Sequence, residues 1–132
     1  ADSVIRLTPE DEPALKVLFD QAYPSNYFVP RMLKSGKYLG YKENNRIVAV
    51  TGIHALSREH KVAVLGNIAT HPDYRGRGLA GALTSQLLEE LTADGHMVCL
   101  NVQRDNEAAI RCYEKLGFVK VHEYAEALYE AG

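Results

Sequence analysis

The sequence predicts an α+β fold built on a mixed, mostly antiparallel sheet with one internal parallel pair. Three observations carry this. Three strand-like runs, 38–42, 46–56 and 62–70, follow one another across short polar turns, which makes an antiparallel meander. The period then changes: Leu79, Leu83, Leu87 and Leu91, with Ala80 and Leu88, form a stripe at helical spacing. A strand of buried type, MVCLNV at 97–102, follows that helix. Strand, helix and strand then form a right-handed crossover with parallel strands.

Taken in order, SVIRL at 3–7 reads as a short strand. Thr8 can cap a helix, Pro9 suits its first position, and Glu10, Asp11 and Glu12 favour the positive end of its dipole. Leu15, Leu18 and Phe19 give that helix one apolar face, and Pro24 ends it. Residues 28–34 read as a second short helix, stopped by Gly36. Asn44 and Asn45 tolerate a left-handed turn between the first two meander strands. Residues 46–56 carry β-branched side chains on both faces, as a central strand does. The polar corner SREHK, 57–61, leads into 62–70. Gly95 stops the crossover helix. Asp105 or Asn106 caps a last helix over 106–116, Gly117 ends it, and 118–122 and 125–129 read as final strands.

The chain has 132 residues, enough for one domain with a real core, so residues 1–132 are read as a single domain. A net charge of -2 gives no global electrostatic case for nucleic acid or an anionic membrane. No apolar run reaches the roughly 18 residues of a membrane helix, and no basic-then-apolar signal opens the chain. Cys99 and Cys112 do not make a disulfide framework; both sit in apolar segments and read as buried thiols in a reducing cytoplasm. The histidines show no metal-ligand spacing, so no metal site is expected. The start at Ala1 suggests a processed protein or a piece of a longer one.

HPDYRGRGLAGAL, 71–83, joins the third meander strand to the crossover helix. Gly76, Gly78 and Gly81 fit G-x-G-x-x-G, but the first glycine comes six positions after the last residue of the strand. Asn101 and Gln103 stand near where a ribose-binding acid belongs. Gly76 and Gly81 also frame a nucleotide phosphate loop, yet Ala82 and Leu83 replace its lysine and hydroxyl. A third reading needs only what is present. Unpartnered amides at a helix start, glycines without Cβ, and the charges of Arg75 and Arg77 make a pyrophosphate cradle. A surface turn whose glycines satisfy tight geometry is the alternative.

The loop has a companion. Arg75 to Ala80 reads Arg-x-x-Gly-x-Ala, and Asn106, Ala109, Tyr113, Gly117 and Phe118 later read Asn-x-x-Ala-x-x-x-Tyr followed by Gly-Phe. In these two ordered motifs the sequence resembles the GNAT superfamily of N-acetyltransferases, and its element order matches from Val4 to about Tyr129. The resemblance implies about four helices and a central parallel pair that splays. It implies acetyl-coenzyme A as cosubstrate and transfer to a primary amine. Backbone groups of Ile68, Ala69 and Thr70 would pair with the pantetheine arm, the amide of Ile68 lying near the acetyl carbonyl. Amides of Arg75, Gly76, Arg77, Gly78, Leu79 and Ala80 would hold the pyrophosphate, and Asn106 would touch the coenzyme arm.

Asn106 and Tyr113, seven residues apart, share nearly one helical face about 10 Å apart along the axis. One extended ligand could meet both. Tyr113 then suits the acid that protonates the leaving thiolate; packing of the helix is its bland alternative. The base stays open between His54 and a water chain held by Asn67 and Asn101, with a core role as the other reading of His54. Cys112 could suggest an acyl-enzyme, but a sequence neighbour points about 100° away and direct transfer needs no nucleophile. For the acceptor, Tyr23, Tyr27, Phe28 and Tyr124 could line an aromatic pocket or belong to core and rim. Glu123 and Glu126 could attract a cationic amine or simply face solvent. The reading is a cytoplasmic acetyltransferase, monomer or homodimer, acting on a small-molecule or peptide amine. Its rival is a catalytically weak acetyl-coenzyme A-binding module of a larger protein.

Overall fold

A computed structural model describes residues 3–24, 28–103, 105–123 and 126–131, without the side chains of 122, 123, 126 and 127. Seven strands form one sheet: β1 (Ser3–Arg6), β2 (Leu39–Glu43), β3 (Arg46–Ser57), β4 (Val62–Thr70), β5 (Met97–Gln103), β6 (Phe118–Glu123) and β7 (Glu126–Ala131). Their order is β1-β2-β3-β4-β5-β7-β6. Only β4 and β5 run parallel; the other neighbours are antiparallel. The helices are α1 (Glu12–Ala22), α2 (Leu79–Ala93) and α3 (Glu107–Lys115). No helix among the described residues is long and apolar enough to cross a membrane.

Local chemistry explains where the expected boundaries moved. The first helix opens as a 3-10 turn, Pro9–Asp11, and becomes α-helical at Glu12. Pro13 lacks an N–H and fits only a first turn, so the α-helix cannot start much earlier. At the turn's start, the Thr8 N–H donates to the Asp11 carboxylate at 2.8 Å. The expected helix at 28–34 is instead a 3-10 turn, Pro30–Ser35, begun by a proline and stopped by Gly36 at φ 72°. Asn44 and Asn45 take φ of 53° and 62° in the β2–β3 turn. The last strand runs to Ala131, which pairs with Phe118.

Leu15, Leu18 and Phe19 of α1 and Leu83, Leu87 and Leu91 of α2 are buried in one core with the sheet. A buried hydroxyl pair, Thr51 and Thr84 at 2.9 Å, ties β3 to α2. Cys99 and Cys112 are free thiols and only half-buried, a correction to the expectation of buried ones. Cys99 shares the less buried face of β5 with the exposed Met97 and Asn101, and Cys112 borders an opening in the sheet.

That opening begins in β4. Parallel pairing runs from Val62↔Met97 to Leu65↔Leu100 and stops. Beyond it β5 pairs with β7, and β4 with β3 alone. Asn67 sits at φ 54°. Between Gly52↔Gly66 and Val50↔Ala69, two residues of β4, Asn67 and Ile68, face the single Thr51. This is a β-bulge, and bulges bend and twist the strand that carries them.

Gly52 and Gly66 oppose each other beside the bulge. A Cβ on Gly52 would overlap the Tyr38 ring, and one on Gly66 the His54 ring. The two bare positions let two rings lie directly on the sheet. Tyr38 is fully buried, so its ring cannot swing aside. Gly52→Ala should therefore cost about 1–3 kcal/mol of stability through overpacking. Urea unfolding checks this, and an unchanged midpoint would refute the ring-over-glycine packing.

Candidate active site

Where β4 and β5 part, a cleft of about 1090 Å³ opens. Its size suits a cofactor-sized ligand. Ile68, Ala69 and Thr70 of β4 line one wall, as expected for them. Their β3 side is paired at Ala69 and Thr70, while their β5 side faces the cleft with no described strand beside it. A ligand with amide groups could pair there as an added strand.

The glycine loop closes one end. A 3-10 turn, Pro72–Tyr74, lies between β4 and the loop, capped by His71, whose Nδ1 accepts from the Asp73 N–H at 3.1 Å. This turn accounts for the six-residue offset of the first glycine. Gly76 and Gly78 adopt φ of 82° and 72°, and a Cβ at either would meet nothing within 4 Å. Such φ values favour glycine, and the open space above them lets an anion approach the backbone. Gly78 is the N-cap of α2. The amides of Leu79, Ala80 and Gly81 thus fall in a first turn, without intrahelical acceptors. Gly76, Gly78, Leu79 and Ala80 all line the cleft.

The two loop arginines divide. Arg75 lines the cleft, its Nε donating to the Thr70 carbonyl at 3.3 Å and its Nη2 to the Ala22 carbonyl at 3.5 Å. It fastens the loop to the ends of β4 and α1. Arg77 is not among the cleft-lining residues. Its guanidinium pairs with Glu43 at 3.4 Å and lies 5.3 Å from the centre of the Tyr74 ring. Arg46 contacts the same ring and donates to its hydroxyl at 3.1 Å. Tyr74 thus serves as a platform for two cations, a role that the sequence reading missed; an aromatic flanked by loop arginines was its one signal.

Asn106 and Tyr113 line the same cleft from α3. Asn106 caps the helix, its Oδ1 accepting from the Ala109 N–H at 3.2 Å. That leaves the amide nitrogen with two donors for a ligand. Tyr113 packs edge-on against Phe118 at 6.1 Å. Burial pushes its phenol up to about 12, and Cys112 and Tyr23 add to the shift. The phenol therefore keeps its proton throughout the neutral range, the state an acid requires. Cys112 also borders the cleft, which the helical-angle argument did not anticipate; its sulfur faces Gly81 of α2.

His54, Asn67 and Asn101 are cleft residues as well. Asn67 is buried, donating from Nδ2 to the Tyr38 hydroxyl at 2.9 Å and meeting His54 Nε2 through Oδ1 at 3.3 Å. Tyr38 was not foreseen here; the glycine opposite its ring was the available clue. Of the expected acceptor pocket, Tyr23 lines the cleft, whereas Phe28 meets Phe19 at a tilt and Tyr38 edge-on, at 5.2 and 5.9 Å, and packs half-buried against the core. Tyr27 and Tyr124, and the side chains of Glu123 and Glu126, lie outside the described residues.

The model of the acetyltransferase (GNAT) family matches residues 4–118. The chain belongs to this family. The GNAT fold expected from the two motifs is the one observed, with the 3-10 turn Pro30–Ser35 in the place of the second helix. N-alpha-acetyltransferase RimI of Mycobacterium tuberculosis is 35% identical over 88 residues, 64% of this chain and 52% of that protein. The matched stretches span 37% to 52% of the lengths of the curated relatives. The ribosomal-protein-S18-alanine N-acetyltransferase from Escherichia coli superposes with a TM-score of 0.77 at 25% identity, covering 98% of this chain and 91% of that one. Arabidopsis thaliana Naa50, solved with the bisubstrate analogue CoA-Ac-MVNAL, gives 0.82 at 19% identity over 98% and 96% of the two chains, a likeness of fold.

Burial raises two phenols of this GNAT domain to about 12, those of Tyr113 and Tyr38, from an ordinary value of 10.0. For Tyr38, hydrogen bonds to Asn67 and Ile53 partly offset the burial. Each group holds its proton more tightly folded than unfolded. The stability they contribute is complete below about pH 10 and is lost as the pH rises toward about 12. Urea midpoints across that window should fall less steeply for Tyr113→Phe than for wild type. Parallel slopes would contradict the assigned shift.

Proposed function

We propose that this GNAT domain transfers the acetyl group of acetyl-coenzyme A to a primary amine by direct attack in a ternary complex. The single observation that carries this is the cleft between β4 and β5, with the glycine loop at its end and the Tyr113 phenol on its wall. The coenzyme fits the groups present: a bare loop edge for an anion at Gly76 and Gly78, a free strand edge for an amide-bearing arm, and a protonated phenol for a leaving thiolate. The acceptor most consistent with the relatives is the α-amine of a peptide. One relative is named as an N-alpha-acetyltransferase and one neighbour as an alanine N-acetyltransferase.

In this reading the backbone of Ile68, Ala69 and Thr70 pairs with the pantetheine arm. The Ile68 amide lies by the acetyl carbonyl, where it can donate to the developing oxyanion. Amides of Arg75, Gly76, Arg77, Gly78, Leu79 and Ala80 hold the pyrophosphate, and Asn106 holds the arm between them. The amine nitrogen bonds to the carbonyl carbon, the carbon–sulfur bond breaks, and the departing thiolate takes the Tyr113 proton. The phenolate recovers a proton from the new amide nitrogen. A phenol held at about 12 stays protonated at neutral pH, and transfer of its proton to the thiolate, a weaker base than the phenolate, is completed as the phenolate regains a proton from the new amide nitrogen.

Release of free coenzyme thiol tests the proposal, with acetyl-coenzyme A and a panel of peptides bearing N-terminal Ala or Met beside a polyamine. Turnover of a peptide with a free, but not a blocked, N-terminus is the expected result. Coenzyme binding without turnover of any amine would instead mark a binding module. Tyr113→Phe should lower kcat by about 10²–10⁴-fold, with the coenzyme dissociation constant within twofold of wild type. Unchanged kcat would remove Tyr113 from the role of acid.

A further inference from the structure

An amine must lose a proton before it attacks. A peptide α-amine has a pKa near 8 and a lysine near 10.4, so both are largely protonated at neutral pH. Tyr113 cannot take that proton, since it keeps its own. Asn101 and Gln103 at the end of β5 have no basic atom. Asp105 borders the cleft but precedes the Asn106 cap, at the opposite end of α3 from Tyr113. The Cys112 sulfur faces the α2 wall at Gly81.

His54 differs in how it is held. Its ring lies across Gly66 of β4, where any Cβ would collide with it, two residues before Ile68. The residue is exposed, and the exposure opens on the cleft. A chain of hydrogen bonds fixes the tautomer of its neutral ring. The Tyr38 hydroxyl donates to the Ile53 carbonyl at 2.6 Å, which uses its one proton. Its oxygen must then accept, and the group that meets it is the Asn67 Nδ2 at 2.9 Å. A flipped amide would set two acceptors against each other, so the Asn67 oxygen faces His54. Nε2, 3.3 Å from that oxygen, must be the nitrogen that carries hydrogen. The neutral ring therefore has its lone pair on Nδ1.

We propose that His54 is the general base of the reaction, accepting the amine proton at Nδ1, directly or through one water, while Asn67 and Tyr38 act as positioning residues that fix its tautomer. The inference rests on the acetyl-transfer reading above. The ammonium gives one proton to Nδ1, which makes an imidazolium whose Nε2–H still donates to Asn67. The neutral amine then attacks, and the imidazolium returns its proton to solvent. The same Asn67 oxygen suits both states of the ring, so no partner must rearrange during the cycle. Arg75 and the ionisable Tyr23, Tyr74, Asp105, Cys112 and Tyr113 border the same cleft. They carry one fixed positive charge and one carboxylate.

The test uses the peptide that wild type turns over best. His54→Ala should lower kcat by about 10²-fold or more and leave the coenzyme dissociation constant within twofold. Free imidazole should restore part of the loss in a concentration-dependent way, with no effect on Tyr113→Phe. A kcat within twofold of wild type, or a loss that imidazole does not restore, overturns the proposal. If His54→Ala does not fold, His54→Gln replaces it, since its amide can still donate to Asn67 but cannot take a proton. A loss of kcat in a folded, coenzyme-binding His54→Gln supports the base, and wild-type kcat overturns it. If wild type itself turns over no amine, the acetyl-transfer reading fails first and the base falls with it.

Discussion

The bulge at Asn67 is the constraint on which the rest of this GNAT domain depends. A regular β4 would carry the parallel pairing past Leu65↔Leu100 and close the sheet. One extra residue ends that pairing and leaves the cleft. The bulge holds a non-glycine residue at φ 54°, a conformation that costs on the order of 1–3 kcal/mol unless its surroundings enforce it. It also buries an amide that would be expensive without partners. Tyr38 and His54 supply those partners, and Gly52 and Gly66 leave room for both rings. Strand geometry and side-chain network are thus two sides of one arrangement.

A second arrangement keeps the loop in place. Arg75 reaches back to two backbone carbonyls, and Arg77 is spanned between Glu43 and the Tyr74 ring. Glu43 ends β2, so the meander and the loop share an ion pair. Both cations are engaged by the protein, and the side chain that the sequence read as cradle charge, Arg77, sits outside the cleft wall. What the loop offers an anion is chiefly oriented backbone: amides at a helix start, beside glycines with open space above them.

How much of this was legible follows the range of each interaction. The meander, the crossover helix and the Asn106 cap are set by spacing within a dozen residues, and they fall where periodicity puts them. The loop motif from Arg75 to Ala80 is equally local, and Gly81, the third glycine of G-x-G-x-x-G, faces α3 at Cys112. The missed features are long-range or steric. Pro30 and Pro13 moved helix starts because a proline without an N–H overrides an apolar pattern. The network of Tyr38, His54 and Asn67 joins residues 13 to 29 apart. No period marks it; only two glycines in β-branched strands hinted that rings would pass there. Cys112 was misplaced because a 100° step on a helix narrower than the cleft still borders it.

The cleft also separates proton chemistry by environment. Tyr113 is packed against Phe118 with Cys112 and Tyr23 nearby, and burial makes ionisation costly, so its proton stays through the neutral range. His54 is exposed and hydrogen-bonded on one nitrogen only among the described residues, so its other nitrogen is free to take a proton. Two groups of opposite tendency on one cleft are what acyl transfer from a thioester to an ammonium needs, because one proton must leave the nucleophile and another must reach the leaving sulfur. The tendency of Tyr113 does not come from residue type alone: an exposed tyrosine would have no reason to hold its proton to about 12. Gly66, which leaves room for the His54 ring on the sheet surface, and the α3 packing that sinks Tyr113 into the wall are therefore the fold's contribution to the proposed chemistry.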